Sequence, residues 1–294
     1  MRNSFIALCF FLSACSTPKD QFYLVILAGQ SNAEGMGLIA DLPDSTPIVL
    51  SNTWIYAPNR LADFSEIKTS GFWQRLKLGF GSGYSVSNKE NHFSDKFGPE
   101  IGFAQEWERL HPGKKLALFK YAQGGSSIHK EAAADYGSWD ETETKSNGNN
   151  QLDFFLANID SMLIKRDLNG DGKEDEIIPT AILWMQGESD ASFSEEIANS
   201  YESNLTRLMQ IFRTHLNEPE LRIVIGEISA SSTWEYGTAR EHASIVRQAQ
   251  QNFVKKDKNA KLVLFTKEAK LTDGWHYRAE DYLLLGKRFA QNVD

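Results

Sequence analysis

Apolar residues fall along this chain in two alternating patterns. Phe22-Tyr23-Leu24-Val25-Ile26-Leu27-Ala28 is an unbroken apolar, β-branched run. A strand buried on both faces of a parallel sheet has this composition, because neither side of its pleat meets water. Similar runs occupy Leu116 to Ala122, Thr180 to Met185, Leu221 to Ile228 and Lys261 to Thr266. Between them the apolar spacing changes to three or four residues. Phe103, Ala104, Trp107 and Leu110 recur in this way after Pro99, placed at a first helical position, as do Leu152, Phe155, Ile159 and Met162. Phe193, Ile197, Tyr201, Leu205, Leu208 and Phe212 form a longer stripe, and Tyr282, Leu285 and Phe289 a last one. These spacings predict helices with one apolar face. Strand followed by helix, repeated, predicts an α/β fold: a three-layer sandwich whose central, mostly parallel sheet of about five strands is covered on both faces. Ligands in such sheets bind at the carboxyl ends of the strands.

Three stretches fit neither pattern. Residues 58–97 and 131–150 are rich in Gly, Ser, Asn and charge, with isolated aromatics at Phe72, Trp73, Tyr84 and Trp139. Long connections of this kind are functional or mobile, and they are candidate pocket walls. The N-terminus is the third. Met1-Arg2-Asn3-Ser4 precedes a brief apolar run, Phe5 to Leu12, too short to span a bilayer and patterned like a secretory signal. It ends in Leu12-Ser13-Ala14-Cys15, which resembles the bacterial lipobox. That resemblance implies a lipoprotein signal peptide over residues 1–14, a lipidated Cys15 with its tether over 15–21, and a folded domain over 22–294. Acyl chains on Cys15 would anchor the domain to a membrane. Ser16, rather than Asp, after the Cys is similar to sorting to an outer membrane, so the expected location is the cell envelope.

The 294 residues carry 31 Lys+Arg against 39 Asp+Glu, a formal net charge of -8, without a basic run. Phosphate backbones need concentrated positive surface, which argues against nucleic acid and favours a neutral or weakly charged substrate. With 41% hydrophobic residues, 12% aromatic, the chain has material for a packed core. Its two cysteines, Cys9 and Cys15, both precede the domain. A Cys nucleophile, a thiolate metal site and a disulfide are therefore excluded from the domain.

Four short motifs each sit at a predicted strand end or just before the last helix. Gly29-Gln30-Ser31-Asn32 follows the first strand. There Ser31 is either a helix N-cap or a side chain at the carboxyl edge of the sheet, where backbone N–H groups point at whatever binds. Gln123-Gly124-Gly125-Ser126-Ser127 follows the second apolar run. Adjacent glycines suit a turn, or a backbone that approaches a ligand with an N–H free to donate. Trp184-Met185-Gln186-Gly187-Glu188-Ser189-Asp190 closes the next strand with an amide donor and a carboxylate acceptor. Asp273-Gly274-Trp275-His276-Tyr277 precedes the last helix. Asp and His three apart lie on one face of a turn, where the carboxylate holds the imidazole as a general base beside a weak nucleophile requires.

In this order, Ser first and Asp-x-x-His last, the motifs resemble the SGNH (GDSL-like) hydrolase superfamily, in the branch of carbohydrate esterase family six and the sialic acid O-acetylesterase domains. The resemblance covers most of residues 22–290. Ala33 and Met185 stand where many relatives carry Met and His. It implies a flavodoxin-like SGNH fold and a serine esterase that removes O-acetyl groups from glycans such as acetyl-xylan. Ser31 would be the nucleophile, His276 the base and Asp273 its orienting carboxylate. The oxyanion would be held by the Ser31 N–H, the N–H of Gly124 or Gly125, and the Gln186 side chain, with Glu188 supporting the nucleophile loop. No cofactor is implied for the chemistry. A sialate O-acetylesterase and a non-catalytic glycan-binding lipoprotein are the rival readings.

A separate motif, Asp167-Leu168-Asn169-Gly170-Asp171-Gly172-Lys173-Glu174-Asp175, places oxygen side chains at relative positions 1, 3, 5 and 9 with Gly at 6. That spacing predicts a structural Ca²⁺ loop with Asp167, Asn169, Asp171, the Lys173 carbonyl and Asp175 as ligands. Position 12, Glu in an EF-hand, is Ile178, so the expectation is a short extracellular-type loop, against the alternative of a solvated acidic turn.

Overall fold

The computed structural model describes residues 19–62, 64–142, 150–265 and 269–294. The signal-peptide and Cys15 expectations lie outside the described residues. Seven strands form the central sheet: β1 (Gln21–Gly29), β2 (Thr53–Tyr56), β3 (Trp73–Arg75), β4 (Lys115–Ala122), β5 (Glu176–Met185), β6 (Arg222–Gly226) and β7 (Ala260–Val263). Their spatial order is β7-β6-β5-β1-β4-β2-β3. Every pairing is parallel except β2 with β3 at one edge. The five apolar runs are all strands. The two additional strands are three and four residues long and belong to the edge of the sheet, where a short segment carries little periodic signal.

Helices α1 (Ser31–Glu34), α2 (Glu100–Leu110), α3 (Gln151–Leu163), α4 (Glu188–Phe193), α5 (Glu195–His215), α6 (Ala243–Lys256) and α7 (Ala279–Ala290) fill the connections. Helix α2 packs on α7 on one face of the sheet, and α5 packs on α3 and α6 on the other. The α2–α7 contact is close because glycines meet there. A Cβ on Gly102 would lie 2.0 Å from the Leu283 carbonyl oxygen, and one on Gly286 2.0 Å from that of Pro99, so neither position accepts a side chain.

Helix α6 has no counterpart among the predicted helices. Its buried face consists of Ala243, Val246, Ala249, Gln250 and Phe253, in which small and polar residues dilute the apolar stripe. The stripe predicted from Phe193 to Phe212 divides at Ser194, whose extended backbone ends α4 and whose Oγ accepts from the Ile197 N–H at 3.2 Å to cap α5. Phe193 therefore leaves the stripe and is 56% exposed. Trp139, from the irregular stretch 131–150, enters the core instead, edge-on to Trp184 with ring centroids 5.1 Å apart.

Register sets the position of the site. Gly29 at the end of β1 pairs with Ala122 of β4 on one side and Met185 of β5 on the other. Three of the four motifs thus leave the sheet at one level of its carboxyl edge. The chain also changes direction here, since β4 and β5 lie on opposite sides of β1, the arrangement that opens a crevice for ligands.

Candidate active site

The turn after β1 is tight. Gly29 has φ 141°, and a Cβ on it would lie 2.0 Å from the Met185 carbonyl oxygen. Gln30 is the N-cap of α1 without a side-chain capping bond, and Ser31 is the first helical residue. The capping explanation of Ser31 therefore fails, and no described group accepts from its N–H, one of the free donors that a helix start leaves. Ser31 lines a cleft of about 780 Å³ that His276 also lines. A larger hollow of about 1010 Å³ lies along α5 and holds none of the four motifs.

His276 is oriented by its own turn. Asp273 Oδ2 lies 2.7 Å from His276 Nδ1, while Oδ1 accepts from the backbone N–H groups of Trp275 at 3.0 Å and His276 at 2.9 Å. Partial burial opposes ionisation of Asp273, but these bonds from the His276 side chain and the two backbone groups prevail and hold its carboxyl below the ordinary value. The contact at Nδ1 leaves Nε2 as the ring nitrogen for other work.

This turn is clamped from both sides. Arg240 is fully buried. Its Nη1 donates to the Gly274 carbonyl at 2.7 Å, its Nη2 to Ala230 O and Ser232 Oγ, and its guanidinium lies 5.2 Å from the centre of the Trp275 ring. From the other side, Asn32 Nδ2 donates to the Trp275 carbonyl at 3.1 Å and to Glu188 Oε1 at 2.8 Å, and Asn32 Oδ1 accepts from Tyr282 Oη. Asn32 thus ties the turn after β1, the Gln-Gly-Glu motif and the His276 turn together. Among the described residues, buried Glu188 Oε2 has no hydrogen-bond partner. Burial pushes its carboxyl up, against the hydrogen bond from Asn32.

The proposed oxyanion donors are redistributed. Gln186 is completely buried. Its Nε2 donates to Asp190 Oδ2 at 2.7 Å and reaches Gln30 Oε1 at 3.2 Å and Ser126 O at 3.3 Å. Gln186 is thus a strut below the cleft, which corrects its assignment as an oxyanion donor. The Gly124 N–H is taken by Glu34 Oε2 at 2.7 Å, whereas no described group accepts from the Gly125 N–H. Gln30, unlike Gln186, lines the cleft. Its Oε1 accepts from Gln186 Nε2 and from the N–H groups of Gly187 and Ser189. Those backbone donors fix which end of the amide is oxygen and leave Nε2, without a described acceptor, for the cleft that Gln30 lines.

Both irregular stretches contribute walls, Arg60 and Ser82 from the first and Ala132, Ala134 and Tyr136 from the second. The loop 167–175 lies elsewhere and leads into β5. Asp167 accepts from the N–H groups of Gly170, Asp171 and Gly172, Asn169 Oδ1 from that of Asp171, Asp171 Oδ1 from that of Lys173, and Asp175 Oδ2 from that of Leu168. Among the described residues, no group of three or more His, Cys, Asp or Glu side chains is arranged to hold a metal ion.

The sequence matches the family described as carbohydrate esterase, sialic acid-specific acetylesterase, over residues 21–294. The chain belongs to this family. As an acetylesterase-family member it is a carboxylic ester hydrolase. Its fold is also that of three solved structures. A protein from Arabidopsis thaliana is 22% identical with a TM-score of 0.61, covering 93% of this chain and 97% of its own. A carbohydrate acetylesterase from Xanthomonas citri is 15% identical with a TM-score of 0.60, covering 92% of this chain and 54% of that one. NanS is 15% identical with a TM-score of 0.52, covering 94% and 98%. Among curated proteins, none matches the chain significantly.

Proposed function

We propose that this acetylesterase-family member removes O-acetyl groups from glycans through an acyl-enzyme formed on Ser31. The observation that carries the reading is the 2.7 Å contact between Asp273 and His276 Nδ1 in the turn whose imidazole shares the cleft with Ser31. Ser31 Oγ attacks the ester carbonyl as its proton passes to His276 Nε2. The Asp273 carboxylate stabilises the imidazolium. The oxyanion is held by the N–H groups of Ser31 and Gly125 and by Gln30 Nε2, donors of a kind worth roughly 3 kcal/mol each in the transition state. His276 then protonates the departing sugar oxygen. Water enters, gives its proton to His276, attacks the acetyl-enzyme and releases acetate with Ser31 restored.

The testing experiment measures acetate released by residues 21–294 from acetylated xylo-oligosaccharides and from O-acetyl sialic acid. Release from neither, with p-nitrophenyl acetate also untouched, would leave only a glycan-binding role. The intact Ser31, His276 and Asp273 argue against that role. An acyl anchor at Cys15 in the cell envelope and a Ca²⁺ ion at residues 167–175 belong to the same proposal. The ion has the spacing of its oxygen donors in its favour and their present arrangement against it, so no catalytic step is routed through it.

A further inference from the structure

Two large aromatic side chains remain on the surface beside this cleft. Tyr136 is 53% and Phe193 56% exposed, and both line the cleft together with Ser31 and His276. Neither sits on a loose segment. The Tyr136 N–H donates to the Ala133 carbonyl at 3.0 Å, and its own carbonyl accepts from Nε2 of buried Gln151 at 3.1 Å. Its ring lies against the oxyanion loop, so that a Cβ on Gly125 would be 2.5 Å from Tyr136 Cγ. Phe193 ends α4, whose Ser189 Oγ donates to the Gly125 carbonyl at 2.9 Å and whose Asp190 accepts from the N–H groups of Ile128 and His129. The Tyr136 ring and the helix that carries Phe193 are therefore both tied to the loop that would bind the oxyanion.

Exposed aromatic rings on rigid supports at a reaction cleft mark a binding face, because ordering them costs little further entropy. The charge of the cleft narrows the ligand. Apart from His276, its charged side chains are Glu34 and Arg60, paired at 2.6 Å, so the described lining presents no uncompensated charge to a substrate. A pyranose has an apolar C–H face for an aromatic ring and a rim of hydroxyls for polar neighbours.

Resting on the esterase reading, we propose that Tyr136 and Phe193 hold the sugar ring whose acetyl group faces Ser31, and that this sugar is uncharged.

The test compares wild type with Tyr136→Ala, Phe193→Ala and Tyr136→Phe. The substrates are acetylated xylo-oligosaccharides, 9-O-acetyl-N-acetylneuraminic acid and p-nitrophenyl acetate. Each Ala variant should raise KM for the xylo-oligosaccharide about tenfold and lower kcat/KM for p-nitrophenyl acetate by less than it does for the xylo-oligosaccharide, since the contact removed is to the sugar and is shared by its ground and transition states. Tyr136→Phe, which keeps the ring, should behave as wild type. In a Ser31→Ala background, calorimetric affinity for the xylo-oligosaccharide should fall in parallel. That arm reads the aromatic contact without turnover, so a chain that binds but does not hydrolyse would fail the esterase reading alone. Equal losses on both esters, unchanged KM and affinity in the Ala variants, or a higher kcat/KM for the carboxylated sugar would overturn the proposal.

Discussion

The side-chain amides of Gln30 and Gln186 meet below the cleft, with Gln186 Nε2 reaching Gln30 Oε1 at 3.2 Å. The two residues therefore divide the work, and substitutions should separate them. Gln30→Glu keeps an acceptor for the Gly187 and Ser189 N–H groups but replaces the donor at Nε2. It should lower kcat on p-nitrophenyl acetate about 10²-fold or more while the fold persists. Gln186→Leu leaves buried Asp190 without its side-chain donor and should cost roughly 1–3 kcal/mol of stability. Denaturant melts and kcat measured side by side decide it: a Gln30→Glu enzyme with wild-type kcat returns the oxyanion to other donors.

Ser31→Ala and His276→Ala should each lose nearly all kcat and keep wild-type melting, because members of a triad act as a unit. Retention of more than about a tenth of wild-type kcat, a loss under ~1.4 kcal/mol, would remove that residue from its role.

Glu188 supplies a pH test of stability. Burial raises its carboxyl above the ordinary value, with Asn32, Arg240 and His276 working in the opposite direction. A carboxyl raised on folding contributes stability that is complete below its unfolded pKa, about 4.3 for Glu, and lost as pH rises through the folded value. Glu188→Gln keeps the acceptor for Asn32 and cannot ionise. Its melting temperature relative to wild type should therefore climb as pH rises from the acid range towards neutrality. Parallel melting curves across that range would place the ionisation elsewhere.

If residues 167–175 hold the proposed Ca²⁺, the ion should stabilise the fold. At a free concentration tenfold above Kd, binding to the folded state alone adds about 1.4 kcal/mol, a few degrees in melting temperature for a domain of this size. EGTA should lower that temperature, excess Ca²⁺ restore it, and Asp171→Ala abolish the response. A wild-type protein indifferent to both, with no bound ion by metal analysis, has only an acidic turn there.

Cys15→Ser should abolish acyl labelling and move the full chain from the membrane to the soluble fraction. Equal membrane retention by the variant would exclude the lipid anchor.

What the sequence determined by itself was whatever local chemistry repeats or closes over a few residues. Val25, Ile26 and Leu27 had to lie in a strand buried on both faces, because their run offers no polar side to water. Asp273 and His276 pair at 2.7 Å within one turn, so a spacing of three was enough to find them. Tertiary structure decided what depends on partners far away in the chain. Gly124 spends its N–H on Glu34, 90 positions earlier, and Gln186 turns to Asp190 while Gln30, 156 positions earlier, lines the cleft. Arg240 fixes the Gly274 carbonyl across 34 residues. Phe193 had helical spacing and still faces solvent, because Ser194 ends its helix. Hydrogen-bond donors and acceptors satisfy one another by proximity, and for these groups proximity exists only after the strands have set β4, β1 and β5 side by side.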